Sequence, residues 1–345
     1  MGYHLTAYNG RDDGLFRSGI MESGNPVNYN SFRDMQTYQP LYDNVTQQTG
    51  CANSTDTLDC LRSVPFEELN TLFNTSDAGT WQPIVDGDFI ARWASVQLEE
   101  GDFVRVPIID GTNTDEGTAF GPRGINNTEQ FAEFITSNES QAYLPEQFVD
   151  AVLEAYPDGP EYFIPPIDEI PADATFPPGS GSLYRRTAAY AGDVTFQANR
   201  RGTCEAWARW GVPAYSYRFD TIPAGIPWYT GVTHFQEVAF VFDNTDGLGY
   251  DAEHGTINPF TNKSSAYTDL AKLMSSSFAS FIHDGSPNGF QGRYEQAEPW
   301  PVYSLDDPQN IVWDVNRTEL AYAEPDTWRS EGIRFILDHA LNYHR

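Results

Sequence analysis

Residues 106–117 constrain this chain more than any other stretch. An apolar, strand-like run, Val106-Pro107-Ile108-Ile109-Asp110, ends in a glycine-bounded turn, Gly111-Thr112-Asn113-Thr114-Asp115-Glu116-Gly117, that carries a carboxylate. Open α/β sheets keep their reactive groups at strand ends, so the run predicts an α/β fold that presents Glu116 at the end of a strand. A second stretch, from Gly231 to Phe242, sets His234 at the mouth of a helix whose far side is apolar. A neutral imidazole takes a proton from a hydroxyl and returns it to a leaving group when a carboxylate holds its other nitrogen. Glu116 is the upstream acid best placed to do so. Glu237, one turn after His234 on the same helix face, is a supporting residue within reach of the loop backbone.

Together the two stretches resemble the type-B carboxylesterase and lipase family, which includes cholinesterases and the secreted lipases of filamentous fungi and yeasts. The family's acid lies in a Gly-x-Asn-x-Asp-Glu-Gly turn, matched from Gly111 to Gly117, and its histidine in a Gly-Val-x-His-x-x-Glu run, matched from Gly231 to Glu237. Acid before histidine is the order of an α/β-hydrolase triad, in which the nucleophile comes first. In the family that nucleophile sits in a Gly-Glu-Ser-Ala-Gly elbow, followed by Gly-x-His-Leu and then by a Leu-Phe-x-x-x-Ile-x-x-Ser-Gly strand. Gly2 to Leu5 and Leu15 to Gly24 match those two later segments. The resemblance therefore puts the nucleophile about six residues before Met1, and no Gly-x-Ser-x-Gly occurs in the 345 residues.

What the resemblance implies is the C-terminal portion of an α/β-hydrolase fold: a mostly parallel sheet flanked by helices, lacking the nucleophile-elbow strand, with residues 1–345 forming a single, N-terminally truncated domain. The implied activity is carboxylic ester hydrolysis by a Ser-Glu-His triad acting on a small-molecule or lipid ester. Glu116 and His234 are its catalytic residues here; without the serine, the chain alone is expected to be inactive. Ser23, which ends the matched strand, is implied to support the triad acid, although a plain Ser-Gly turn closing a strand accounts for the same residues. The resemblance also implies a disulfide between Cys51 and Cys60 around the polar loop 52–59, while Cys204 reads as a buried helical thiol.

Forty-nine acidic against twenty basic residues give a net charge of −29. Such a charge repels phosphate backbones and anionic membrane surfaces, which excludes nucleic acid as a partner. No uninterrupted apolar run approaches the length that spans a bilayer. Met1-Gly2-Tyr3-His4 lacks the basic start and apolar core of a signal peptide, and Ala7 stands where a myristoylation motif has Ser or Thr. Seven Asn-x-Ser/Thr sequons, at Asn44, Asn53, Asn74, Asn126, Asn138, Asn262 and Asn316, exceed the roughly three that composition gives by chance, and they are glycosylation acceptors only in a secretory protein. The full-length parent is therefore expected to be secreted, with its signal in the missing N-terminal part.

Hydrophobic spacing predicts helices over 2–8, 35–49, 57–63, 65–74, 90–100, 128–136, 145–156, 183–210, 264–284 and 326–342, and strands over 15–23, 211–219 and 311–315. Residues 157–182, with two Pro-Pro pairs, form an irregular connection and a possible internal boundary. Arg185-Arg186 and Arg200-Arg201 read as solvated helix positions. Trp228 and Tyr229 either rim a pocket or pack. Asp86, Asp88 and Asp102 lack the spacing of a calcium loop, and His4, His254, His283, His339 and His344 lack that of a zinc site. Neither metal nor cofactor is implied, and the oligomeric state is not encoded. A strand at 15–23 stripped of its neighbour leaves an apolar edge, so the chain is expected to aggregate or stay partly unfolded. Two other readings stand beside the enzyme. One is a non-catalytic, cholinesterase-like binding or adhesion protein, against which the retention of Glu116 and His234 argues. The other is an inactive fragment that pairs with a separately encoded N-terminal half.

Overall fold

The apolar run before the acid turn becomes a strand buried along all six of its residues, second in a five-stranded sheet. The computed structural model describes the chain apart from residues 76–80, 138–139, 141, 160–162, 167–169, 252, 254 and 290–293. The strands are β1 (Gly19–Glu22), β2 (Ile108–Asn113), β3 (Ala214–Phe219), β4 (Gln309–Trp313) and β5 (Ala321–Pro325), side by side in that order. β1 to β4 run parallel, and β5 lies antiparallel to β4. Parallel neighbours need long crossovers, and these hold the helices. Before β2 come α1 (Gly2–Gly10), α2 (Met35–Gln48), α3 (Thr57–Ser63), α4 (Phe66–Phe73) and α5 (Ala94–Glu100). Between β2 and β3 lie α6 (Gly117–Phe120), α7 (Thr128–Thr136), α8 (Val149–Ala155), α9 (Tyr184–Gly192), a five-residue π-helical segment (Asp193–Gln197) and α10 (Ala198–Arg209). After β3 follow α11 (Val238–Val241), α12 (Ser265–Asp284) and, beyond β5, α13 (Ser330–Asp338).

Side chains on a strand alternate between faces, and β3 uses both. Tyr215, Tyr217 and Phe219 join Phe240, Phe278 and Trp300 on the side of α11 and α12. Ala214 joins Trp207, Leu98 and Leu5 on the side of α10, α5 and α1. Gly111 of β2 lies against the Tyr217 ring, where a Cβ would come within 2.0 Å of it, so this close approach requires glycine. The implied disulfide forms, Cys51 to Cys60, and Cys204 is buried and free.

Several expected elements shorten for identifiable reasons. Pairing of the 15–23 strand begins only at Gly19, opposite Ile108, because β2 starts there; Leu15 has no partner strand and is exposed. The helix expected from 90 begins at Ala94, after an extended Trp93. The last helix is confined to Ser330–Asp338, since Asp326 is held in a buried ion pair and Arg329 takes a left-handed φ of 47°.

The arginine pairs correct the sequence reading more sharply. Arg186, Arg200 and Arg201 are buried rather than solvated. Asp326 draws the second pair inward, meeting Arg200 at 2.7 Å and Arg201 at 2.8 Å, and Arg200 also donates to Ser216 and Asn310. Burial opposes the Asp326 charge, but the two guanidiniums outweigh it and hold the carboxyl far below the usual range. Arg186 donates to the Tyr156 carbonyl, and Arg185 to those of Phe163 and Pro165.

Candidate active site

The end of β2 turns sharply and drops Glu116 into the interior, where it is fully buried. Three groups meet its carboxylate. The Asn113 N–H donates to Oε1 at 2.8 Å, Ser23 Oγ donates to the same oxygen, and Oε2 receives Nδ1 of His234 at 2.9 Å. Ser23 reaches it from the end of β1 through a left-handed φ of 55°. Every oxygen of this acid is thus engaged before any substrate arrives, which fixes the ring and commits Nδ1 as the donor nitrogen.

The histidine loop is sewn to the acid turn at several points. Val232 N–H donates to Asp115 Oδ2 at 2.6 Å, and Asp115 N–H returns a bond to the Val232 carbonyl. Asn113 Nδ2 donates to the Thr233 carbonyl at 2.7 Å and to Glu237 Oε2 at 2.6 Å. Thr118 Oγ1 reaches the Thr230 carbonyl. Gly231 adopts φ 61°, and a Cβ there would lie 2.1 Å from Asp115 Oδ2. The glycine before the histidine is therefore required both by conformation and by space.

One expectation about this loop is corrected. His234 and Glu237 do not share a helix face, because α11 starts only at Val238 and Phe235 reverses the backbone at φ 74°. Glu237 accepts from the Asn113 side chain and also from its own backbone N–H. Of the two readings of Trp228 and Tyr229, packing is the one seen: they pack on each other, and Trp228 meets Phe176. Phe196 of the π segment stacks on the imidazole at 5.0 Å, and Phe120 meets it edge-on at 5.1 Å. Next to Phe196, Gln197 accepts from Thr112 Oγ1 and donates to the Asn113 carbonyl, bracing the turn from the helix side. Sequence reasoning missed Phe120, Phe196 and Gln197, which lie outside the turn and loop motifs; Asn113 was visible as a motif position without a role.

About a third of the His234 side chain is exposed, and among the described residues none hydrogen-bonds to Nε2. That nitrogen is left for proton transfer. Burial alone works against the imidazolium, but the Glu116 hydrogen bond and charge, with a smaller contribution from Glu237, outweigh it and raise the pKa above 6.5. Glu237 is buried beside a second carboxylate; burial first and Glu116 next push it up to about 7. The remaining histidines lie apart from the site. His283 pairs with Asp284, His339 packs on Phe335, His344 on Trp93, and His4 on Phe89; His254 is outside the described residues. Among the described residues no group of three or more His, Cys, Asp or Glu side chains is placed to hold a metal ion, and no helix is long and apolar enough to cross a membrane.

A sequence profile of the carboxylesterase family matches residues 3–327. The chain belongs to the carboxylesterase family. Secreted lipase 1 of Botryotinia fuckeliana is 28% identical to this carboxylesterase-family chain over 80% of its length and 51% of the relative's. Lipase 2 of Geotrichum candidum is 30% identical over 77% of the chain and 49% of the relative. A secreted triacylglycerol lipase of Gibberella zeae is 29% identical over 97% and 52%. The chain thus spans about half the length of these relatives. The crystal structure of Aspergillus niger EstA superposes on the whole chain and on 62% of its own length, with a TM-score of 0.73 at 21% identity. This likeness assigns the fold of this carboxylesterase-family chain: an α/β-hydrolase sheet, mostly parallel, with flanking helices.

Proposed function

We propose that this chain supplies the acid and base of a serine-dependent carboxylic ester hydrolase. His234 moves the proton, Glu116 holds His234, and Ser23 and Asn113 hold Glu116. The observation that carries this reading is the 2.9 Å bond from His234 Nδ1 to a fully buried carboxylate, in a member of the carboxylesterase family. A serine hydroxyl at Nε2 gives up its proton as its oxygen attacks the ester carbonyl. The imidazolium, stabilised by Glu116, returns that proton to the leaving alcohol, and water repeats the cycle on the acyl-enzyme. The 345 residues hold no Gly-x-Ser-x-Gly, so the reading places the serine and the oxyanion-stabilising amides N-terminal to Met1 in the whole protein. A non-catalytic binding protein is disfavoured, since it has no chemical reason to keep a buried carboxylate on a partly exposed imidazole.

The printed names of the fungal relatives, lipases and secreted lipases, support a lipid or small-molecule ester as substrate and an extracellular location. The Cys51–Cys60 disulfide fits that compartment. So do the sequons: Asn53, Asn74, Asn126, Asn262 and Asn316 are exposed acceptors, Asn44 is half-buried within α2, and Asn138 lies outside the described residues. Residues 1–345 then form part of one domain, with the connection at 157–182 as its internal boundary.

Hydrolysis of p-nitrophenyl butyrate tests the reading. The 345-residue chain is expected to show no turnover above background, whereas a polypeptide extended upstream through a Gly-x-Ser-x-Gly is expected to be active. In the extended protein, His234→Ala should lower kcat by on the order of 10⁴-fold or more, with Glu116→Gln close behind. Activity of either polypeptide that survives His234→Ala would overturn the assignment.

A further inference from the structure

Three aromatic rings close on one another beside the acid turn. Phe196 stacks on the His234 imidazole, centroids 5.0 Å and planes 22° apart, and Phe120 meets both rings steeply at 5.1 Å. Phe196 is only 3% exposed, so little water competes for its ring.

The backbone brings these rings together. α6, which carries Phe120, lies directly against α9 in a contact open only to glycine. A Cβ on Gly117 would come within 1.8 Å of the Ala188 carbonyl oxygen, and one on Gly192 within 2.8 Å of the Gly117 nitrogen. The π segment follows at once and presents Phe196, while Gln197 beside it is tied to Thr112 Oγ1 and to the Asn113 carbonyl. π-helical turns are rare and concentrate at functional sites. Here the turn that holds Glu116 also locks the register of the segment, so Phe196 is fixed relative to the carboxylate.

A hydrogen bond to Nδ1 tolerates tilt of the imidazole, whereas a ring stacked on its face does not. The face of a benzene ring is negative, and a cation within about 6 Å of its centroid is attracted to it. Imidazolium gains from that attraction and neutral imidazole gains little. The charged groups that face His234 are Glu116 from the acid turn and Glu237 from its own loop. α6 holds no charged residue, and the one in the π segment, Asp193, is paired with Arg329. We propose that Phe196 is a positioning residue acting through His234: its face holds the imidazole plane and supports the positive charge that the ring takes up with a proton. The consequence for ester hydrolysis rests on the reading of His234 as the proton carrier, whose imidazolium Phe196 and Glu116 then stabilise together. The pairing of the two rings does not depend on that reading.

Fluorinated phenylalanines at position 196 test the proposal, because fluorine drains the negative face while nearly preserving the size of the ring. In the 345-residue chain at micromolar concentration, diethylpyrocarbonate modification of His234, followed by mass spectrometry as a function of pH, reads the pKa, since only the neutral imidazole reacts. The pKa is expected to fall stepwise from phenylalanine through the monofluoro and difluoro rings to the trifluoro ring, by about half a unit to one unit in all. Phe196→Leu should lower it by a similar amount. His339, stacked on Phe335, is read in the same digests and should not move. A His234 pKa that stays constant or rises along the fluorine series would sink the proposal, even if Phe196→Leu lowers it, because the ring then only packs. No turnover enters this measurement, so its failure is distinct from ester hydrolysis that survives His234→Ala, the result that sinks the hydrolase reading.

Discussion

Glu237 shows how far one buried proton reaches. Its carboxyl is raised from 4.5 to about 7 by burial and by the neighbouring Glu116. Between those pH values the folded chain keeps a proton that the unfolded chain has released, so folding stability falls as pH rises through that window, by on the order of 3 kcal/mol. Glu237→Gln should flatten the fall, read as the melting temperature across pH 4.5 to 7.5; an unchanged profile would refute the shift. His234, raised above 6.5, adds stability that is complete below pH 6.5 and is lost as pH climbs through its folded value. On the proposed reading, the same raised pKa would set the acid limb of kcat/KM in an extended, active protein, because only the neutral imidazole accepts a proton. Removing the Glu237 charge should move that limb to lower pH. Asp326 behaves oppositely. Its depressed carboxyl stabilises above the ordinary carboxylate pKa and ceases to do so as acid protonates it, and Asp326→Asn leaves Arg200 and Arg201 buried without their charge partner. A loss of about 3–5 kcal/mol is expected in urea unfolding.

At the scale of elements, the acid turn and the histidine loop form one stitched unit, and Gly231 is its tightest point. Gly231→Ala sets a Cβ 2.1 Å from Asp115 Oδ2 at a left-handed φ. It should cost about 1–3 kcal/mol and loosen the Glu116–His234 bond, visible as an altered Nδ1 proton resonance. Much of this unit was legible in the sequence because its residues are local. Glu116 lies three residues past the end of β2, and His234 lies three residues after Gly231, which takes a left-handed φ. What was not legible depends on distant partners. Nothing near Arg200 announces that Asp326, 126 residues away, turns it inward. β5 was missed because Ala-Tyr-Ala-Glu-Pro has little intrinsic strand preference and owes its conformation to β4. Phe196 was invisible because an aromatic residue within a helix gives no sign of which ring it will meet.

The whole molecule carries its charge on a frame whose first strand is an edge. β1 pairs only with β2, and its other side meets no described strand. That arrangement is consistent with the expected tendency to aggregate, which light scattering during refolding of the 345-residue chain can measure. Opposing it is the net charge of −29, which keeps molecules apart but also strains each folded chain from within. Screening shortens the reach of that repulsion to about 8 Å at physiological ionic strength. Added sodium chloride should therefore raise the melting temperature while making association easier, and a melting temperature that falls with salt would show that local ion pairs outweigh the general repulsion.

The π segment gives the long helix between β2 and β3 two phases. A wider turn holds an extra residue, and in an α-helix each residue advances the face by about 100°. Before the slip, α9 lies against Gly117 through Ala188 and Gly192; after it, α10 turns Arg200 toward Ser216 in the sheet. Phe196 and Gln197 sit at the change of phase, one against the imidazole and the other on the acid turn. The helix thus works like a key cut on two sides. Substitutions there can be absorbed one contact at a time, but deleting a single residue restores a uniform pitch and forces the chain to abandon either the grip on Gly117 or the grip on the sheet.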